Sequence, residues 1–181
     1  MSALTDLDRL LAAWTPSEDQ QAVLLERYVR FAAEHGKASL EKSGGPVHFT
    51  ASLIPFDEDL TRVLLVFHAK AQRWLQPGGH VEADDPTVEA AARREGREEC
   101  GVPVDGALVP AQLDAHELGG RFTCREHLDI RFATRVPSDA VPHVSDESED
   151  VRWFAVDDPV VRAEVGALVA AGLAALRSAA G

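Results

Sequence analysis

Cysteine is scarce in this chain: 181 residues contain two, Cys100 and Cys124, alongside one methionine and one tyrosine. Two distant cysteines make neither the disulfide framework of a small secreted domain nor a paired metal motif. Both are expected to be reduced, partly buried thiols. Basic charge is also short, with 18 Lys and Arg against 30 Asp and Glu, a net charge of −12 and a pI near 4.9. A general nucleic-acid binder neutralises phosphates with a basic stripe, and none is present. No nucleic-acid partner is expected. Long apolar runs are missing as well: the longest, 165–176, has 12 residues, whereas a membrane helix needs about 20. Asp6 and Asp8 stand where a secretory leader would be basic. These absences lead to the expectation of a cytoplasmic protein with no membrane partner.

What is present is enough for a core. Hydrophobic residues make up 45% of the chain, and a single domain of this length buries about 70% of its extended surface. Apolar residues recur at helical spacing over 4–14 and 17–35, with Ser17 as cap and Gly36 as stop. Residues 1–36 therefore read as a helical extension packed on a domain spanning 37–181, with a homodimer contact or a substrate lid as the alternatives. After the polar, glycine-rich link 37–45 the pattern turns to strands. Residues 47–56 and 62–68 form an expected hairpin about Asp57-Glu58-Asp59. A loop from Arg73 leads into a short strand ending near Glu82. Helix is expected over 86–100, strands over 108–115, 127–136 and 151–154, and helix over 160–179. Periodicity alone supports a mixed α and β chain.

The densest chemistry lies between Gly78 and Val102, GGHVEADDPTVEAAARREGREECGV. Residues at i, i+3 and i+4 share a helix face, so Glu95, Glu98 and Glu99 are neighbours that repel by a few tenths of a kcal/mol per pair. Gly101 reads as the helix stop. Glu98 and Glu99 then sit at the negative end of the dipole, which costs an anion roughly 0.3–1 kcal/mol. Something cationic must compensate. One reading is a solvated face with Arg93, Arg94 and Arg97 as partners, Arg94 and Glu98 standing at i, i+4. The other is a hard divalent cation, which takes oxygen ligands from a few carboxylates and from substrate phosphates. Spacing within the helix does not choose between them.

The wider pattern resembles the signature of the Nudix hydrolases: Gly, five residues, Glu, seven residues, Arg-Glu, an apolar residue, any residue, Glu-Glu, any residue, Gly, apolar. Gly79 opens it, Arg94-Glu95 and Glu98-Glu99 supply the charged pairs, and Gly101-Val102 closes it. Chance agreement at those six Gly, Arg and Glu positions is roughly one in 10⁷. The leading half departs from the pattern. Asp85 replaces the first glutamate, eight residues rather than seven separate it from Arg94, and Gly96 stands at the apolar position. Asp85-Pro86 reads as N-cap and first helical residue, which makes Asp85 structural and a poor ligand. Gly96 points to close packing of the helix.

The resemblance implies an α/β/α sandwich with a mixed sheet. It also implies hydrolysis of a nucleoside diphosphate linked to another group, with Mg²⁺ or Mn²⁺ as cofactor. Carried over by position, Glu95, Glu98 and Glu99 match the family's catalytic, metal-binding glutamates, and the Gly78 carbonyl matches its main-chain ligand. Family members often add a carboxylate from a loop before a late strand, and in the segment 145–150 Glu147 is the candidate, with Glu149 and Asp150 as solvated neighbours. His80 and Arg94, beside the double glycine and in the helix, are candidate substrate contacts. Trp74 has the shape to stack on a base, against a simpler role in the core. Arg131, alternating with Asp129, reads as a salt-bridged strand residue. His116-Glu117 begins an HExxH that Gly119-Gly120 leave unfinished, and no histidine cluster is evident. A catalytically silent nucleotide-binding regulator on the same fold is the alternative function. An isomerase of isopentenyl diphosphate, which would use a cysteine and a histidine-bound metal, is set aside for want of such a cluster. The partner expected is a nucleotide-derived small molecule.

Overall fold

The strand β1 (Val47–Phe56) organises the chain: nine of its ten residues are buried. The computed structural model describes residues 2–119, 124–145 and 148–179. β1 runs parallel to β6 (Glu126–Arg135) along its whole length, from Val47 opposite Glu126 to Phe56 opposite Arg135. Its middle, Thr50 to Ser52, also pairs antiparallel with β4 (Gly78–His80), and its last residue with β2 (Arg62–His68). β5 (Val109–Glu117) closes one side against β6, while β3 (Arg73–Leu75) and β7 (Ser148–Ala155) pair with β2. The result is a mixed seven-stranded sheet. A strand covered on both faces should be continuously apolar, yet β1 buries His48, Thr50 and Ser52 on one face. Thr50 Oγ1 and Ser52 Oγ donate to Asp129 of β6 at 3.0 and 2.7 Å, which satisfies two of these polar groups.

Three helices cover the opposite face. α1 (Ala3–Ala13), α2 (Asp19–His35) and α3 (Val88–Cys100) contribute Leu7, Leu11, Tyr28, Ala32, Ala91 and Ala92 to one core with Phe49, Leu53, Leu128 and Ile130. The N-terminal helices are thus packed into the same core as the sheet. Gln21 donates to and accepts from the backbone of Leu113 at 2.9 and 2.8 Å, acting as a surrogate strand residue. Asp6 of α1 accepts from Val88 N at 3.2 Å, placing an anion at the start of α3, where the dipole favours it. α4 (Pro159–Glu164) and α5 (Gly166–Ser178) bury Val161, Leu168 and Leu176 against Ile54, Phe56 and Ala133.

Several sequence expectations shift. α3 starts at Val88, capped by Thr87, whose Oγ1 accepts from Ala90 N at 2.9 Å. Asp85 and Pro86 precede the helix, so the cap assigned to Asp85 belongs to Thr87. Ser17 does not cap α2 either: its N-cap is Glu18, which makes no side-chain cap bond. The hairpin is brief, with only Phe56 opposite Val63, because β2 turns away to pair with β7. β7 begins three residues earlier than expected and takes Glu149 and Asp150 into the strand. The closing helix is broken at Val165, whose φ of −136° is not helical, and the segment expected as loop from Arg73 opens with the short strand β3. No helix among the described residues is long and apolar enough to cross a membrane.

Candidate active site

α3 presents its glutamates to the glycine strand. The helix is rich in alanine, capped by Thr87 and stopped by Gly101 in the left-handed conformation, φ 65° and ψ 16°. Its position against β1 depends on Gly96: a methyl built there would lie 2.9 Å from Leu53 Cδ2. Close packing at Gly96 therefore explains the departure from an apolar residue. Gly79 faces the helix, and a methyl on it would stand 2.5 Å from Glu95 Oε1. Gly78 N donates to Glu99 Oε2 at 2.9 Å. Glu99 is buried, 5% exposed, whereas the Glu98 side chain is 58% exposed. The fold thus brings Gly78, Glu95, Glu98 and Glu99, distant by up to 21 positions, around one corner of the sheet.

Arg94 is the counter-cation at this corner. Its Nη1 donates to Glu95 Oε1 at 2.9 Å and to Glu98 Oε2 at 3.0 Å, and Nη2 reaches Asp85 Oδ2 at 3.0 Å and the His80 carbonyl at 2.9 Å. Glu82 is 3.8 Å away. Burial works against the guanidinium charge, but the Asp85 hydrogen bond and the Glu95 charge outweigh it and raise its pKa. Arg93 and Arg97 turn elsewhere, to Glu89 and to Asp105. Of the three arginines, Arg94 compensates the cluster: its one guanidinium serves Glu82, Asp85, Glu95 and Glu98, and Glu99 accepts from Gly78 N. The donor set is all oxygen and strongly anionic, which fits a hard divalent ion such as Mg²⁺ or Mn²⁺. The place between Glu95 and Glu98, held by Arg94 Nη1, already accommodates positive charge. Asp85 is structural, accepting from Glu82 N at 2.8 Å as well as from Arg94.

The remaining candidates separate. Trp74, on β3, stacks edge-to-face on Phe154 at 4.8 Å and on Phe67 at 5.3 Å, with the Arg152 guanidinium 5.5 Å from its ring centre. Its surroundings are those of a core residue. Glu147 lies outside the described residues. Glu149 is exposed and accepts from Gln72 at 3.0 Å, and Asp150 is ion-paired with Arg152; both belong to β7 rather than to a loop. Arg131 is a salt-bridged strand residue as expected, bonded to Asp129, Asp114 and Gln112. Cys100 is buried, and burial, with the neighbouring Glu99 charge, holds its thiol protonated.

His80 overturns one sequence expectation. Its carbonyl serves Arg94, but its ring points to the other face of the sheet and meets His48 at 5.0 Å and His127 at 5.1 Å between ring centres. His48 and His127 are 5.1 Å apart. A histidine cluster therefore exists. Each residue comes from a different strand, β4, β1 and β6, and parallel pairing sets His48 directly opposite His127. No spacing rule encodes this. Burial first, and then the neighbouring rings, lower the pKa of His80 and of His127 to about 4, so these imidazoles are neutral at neutral pH.

The family model for the NUDIX domain matches residues 46–172. A NUDIX-family hydrolase from Clostridium perfringens superposes with a TM-score of 0.57 at 21% identity, covering 73% of this chain and 97% of that one. An Ap4A hydrolase from C. elegans, solved as a binary complex, gives a TM-score of 0.54 at 19% identity, with 72% and 98% covered. A MutT NUDIX hydrolase from Burkholderia pseudomallei gives 0.53 at 26%, with 67% and 95% covered. A search of curated proteins returned no match.

Proposed function

Since this chain belongs to the NUDIX hydrolase family, whose members hydrolyse nucleoside diphosphates linked to other groups, we propose that it is a metal-dependent pyrophosphohydrolase acting on a nucleotide-derived small molecule. The observation that carries the reading is the meeting of Gly78 with Glu99 and of Gly79 with Glu95 across the strand–helix corner. Glu95, Glu98, Glu99 and the Gly78 carbonyl are the residues that would hold Mg²⁺ or Mn²⁺. A divalent ion there neutralises phosphate oxygens and makes water a stronger acid.

The chain's own groups supply the rest. Glu95, Glu98 and Glu99 would set the anionic seat, and one of these carboxylates would take a proton from water entering at phosphorus. The water oxygen bonds to phosphorus, the P–O bond of the anhydride bridge breaks, and the leaving phosphate carries away the bridging oxygen. Arg94 holds Glu95 and Glu98 in position; its five N–H groups are engaged with Asp85, His80, Glu95 and Glu98, so it acts on a phosphate through its charge. His80 contributes its carbonyl to that arrangement. Glu147 stays the proposed supplementary base, and the two thiols, not joined in a disulfide, suit a reducing cytoplasm.

A hydrolysis screen over nucleoside diphosphate derivatives with Mg²⁺ or Mn²⁺ tests this directly. The expected products are a nucleoside monophosphate and a second phosphomonoester, with no turnover in chelator. Absence of hydrolysis across the panel would favour the silent nucleotide-binding regulator. The histidine cluster removes one ground for setting aside the isomerase, but Cys100 is buried and protonated; an isomerase would release no phosphomonoester. Mg²⁺ at about 100 times its Kd is expected to stabilise the fold by about 2.7 kcal/mol, a rise of roughly 5–10 °C in Tm for a domain of this size. An unchanged Tm, read by differential scanning calorimetry, would sink the metal seat.

A further inference from the structure

β4 has two chemical faces. Strand alternation turns Gly79 towards Glu95 and sends the His80 ring to the opposite side. There, among the described residues, His48, His80, Cys124 and His127 each offer a ligand atom, and all four atoms lie within 4.8 Å of one another. We propose that these four residues form a tetrahedral zinc site, closed by the protein on all four positions, that ties β4 to β1 and β6 behind the glutamate corner.

The donor set points to the ion. One thiolate with three imidazoles is a soft-to-borderline set, which suits zinc and is foreign to Mg²⁺. Zinc bonds of about 2.0–2.3 Å put ligand atoms roughly 3.3–3.8 Å apart in a tetrahedron. The His80 Nε2 to Cys124 Sγ distance is 3.9 Å, so this edge is almost formed and small side-chain rotations bring in the others.

A second observation concerns hydrogen bonding. Nε2 of His48 and Nε2 of His127 are buried and have no hydrogen-bond partner among the described residues. A buried polar group left unsatisfied is destabilising, and two of them in one cluster are hard to explain by ring packing alone. His48 is further prepared for a ligand role. Its Nδ1 lies 3.2 Å from the Gly45 carbonyl, so Nδ1–H donates and the Nε2 lone pair is turned inward. Metal-ligating histidines are oriented by this kind of outer hydrogen bond. On binding, the Cys124 thiol loses its proton to solvent as the Sγ–Zn bond forms, and the imidazoles bind through lone pairs. One proton leaves per ion.

Four protein ligands leave no open coordination position, so the site is structural. Its position gives it a purpose: His80 adjoins Gly78-Gly79, and clamping it fixes the strand that the glutamates face. The experiment uses the untagged full chain, stripped with chelator and titrated with Zn²⁺ alone, with metal content measured by mass spectrometry. One zinc per chain is expected, with a rise in Tm. Substituted Co²⁺ should give the intense visible bands of a tetrahedral site and a sulfur-to-metal charge-transfer band that Cys124→Ser abolishes. Cys124→Ser and His127→Ala should each weaken zinc by more than the roughly 10–100-fold that an outer-shell change costs. Glu98→Gln together with Glu99→Gln should leave zinc binding unchanged, which separates this site from the hydrolytic one. The proposal is overturned if wild-type chain takes up no zinc, if its Co²⁺ spectrum is octahedral and lacks the sulfur band, or if zinc is lost with the glutamates and kept in Cys124→Ser. Should His127→Ala fail to fold, the wild-type Co²⁺ spectrum and the conservative serine variant still decide.

Discussion

Glu98→Gln and Glu99→Gln are each expected to lower kcat by roughly 10²–10⁴-fold while leaving the protein folded. The magnitude follows from charge stabilisation by the ion, worth several kcal/mol in the transition state, with each 1.36 kcal/mol a factor of ten. The fold should survive because glutamine keeps the shape. Glu98 is largely exposed and, among the described residues, is bonded to Arg94. Losing its i, i+4 pair costs about 0.3–0.5 kcal/mol. Removing an anion from the last helical turn returns roughly 0.3–1 kcal/mol. In metal-free protein the two effects nearly cancel, so Tm barely moves while turnover collapses. Glu99 differs in being buried and holding Gly78 N. A glutamine carbonyl oxygen still accepts that hydrogen bond, so the strand should stay in place. Steady-state kinetics with thermal denaturation reads both quantities, and undiminished turnover in either variant would defeat the assignment of Glu95, Glu98 and Glu99 as the metal seat.

The second large effect separates two adjacent glycines. Gly78→Ala puts its methyl 2.2 Å from Ser52 Cβ and 2.9 Å from the Ala51 carbonyl oxygen. Both neighbours belong to the central strand, where nothing yields cheaply. A loss of about 1–3 kcal/mol or more is expected, seen as a Tm lowered by roughly 2–12 °C. Gly79→Ala meets only the carboxylate end of Glu95, 2.5 Å away. That side chain can rotate aside, so stability should change little. The displaced carboxylate, however, is one of the proposed ligands, and a 1 Å misplacement at a reacting centre costs as much as 10²-fold. The expected pattern is a folding defect at 78 and a catalytic defect at 79. Equal Tm losses in the two variants, or full activity in Gly79→Ala, would contradict the site geometry.

The strands 47–56 and 62–68 were legible to the residue, because apolar runs bounded by Gly-Pro and Asp clusters carry their own signal. The N-terminal helices and the stop at Gly101 were readable for the same local reason. Errors came where a distant partner intervened. Thr87 rather than Asp85 caps α3 because Arg94, nine residues on, draws the Asp85 carboxylate to itself. β7 extends to Ser148 because β2 offers it a pairing edge. Trp74 was ambiguous in sequence and is placed among Phe67, Phe154 and Arg152 by contacts with two other strands.

The chain's sequence by itself determined the glutamate face, since i, i+3 and i+4 spacing is a property of one helix and needs no partner. It also determined the double glycine that the helix must meet. Only the tertiary structure decided what stands on the other side of that glycine strand. His48, His80 and His127 lie up to 79 positions apart, and they converge because a parallel ladder sets β1 beside β6 while β4 pairs in the opposite sense. That register depends on the burial of whole strand faces, a collective quantity that no short motif contains.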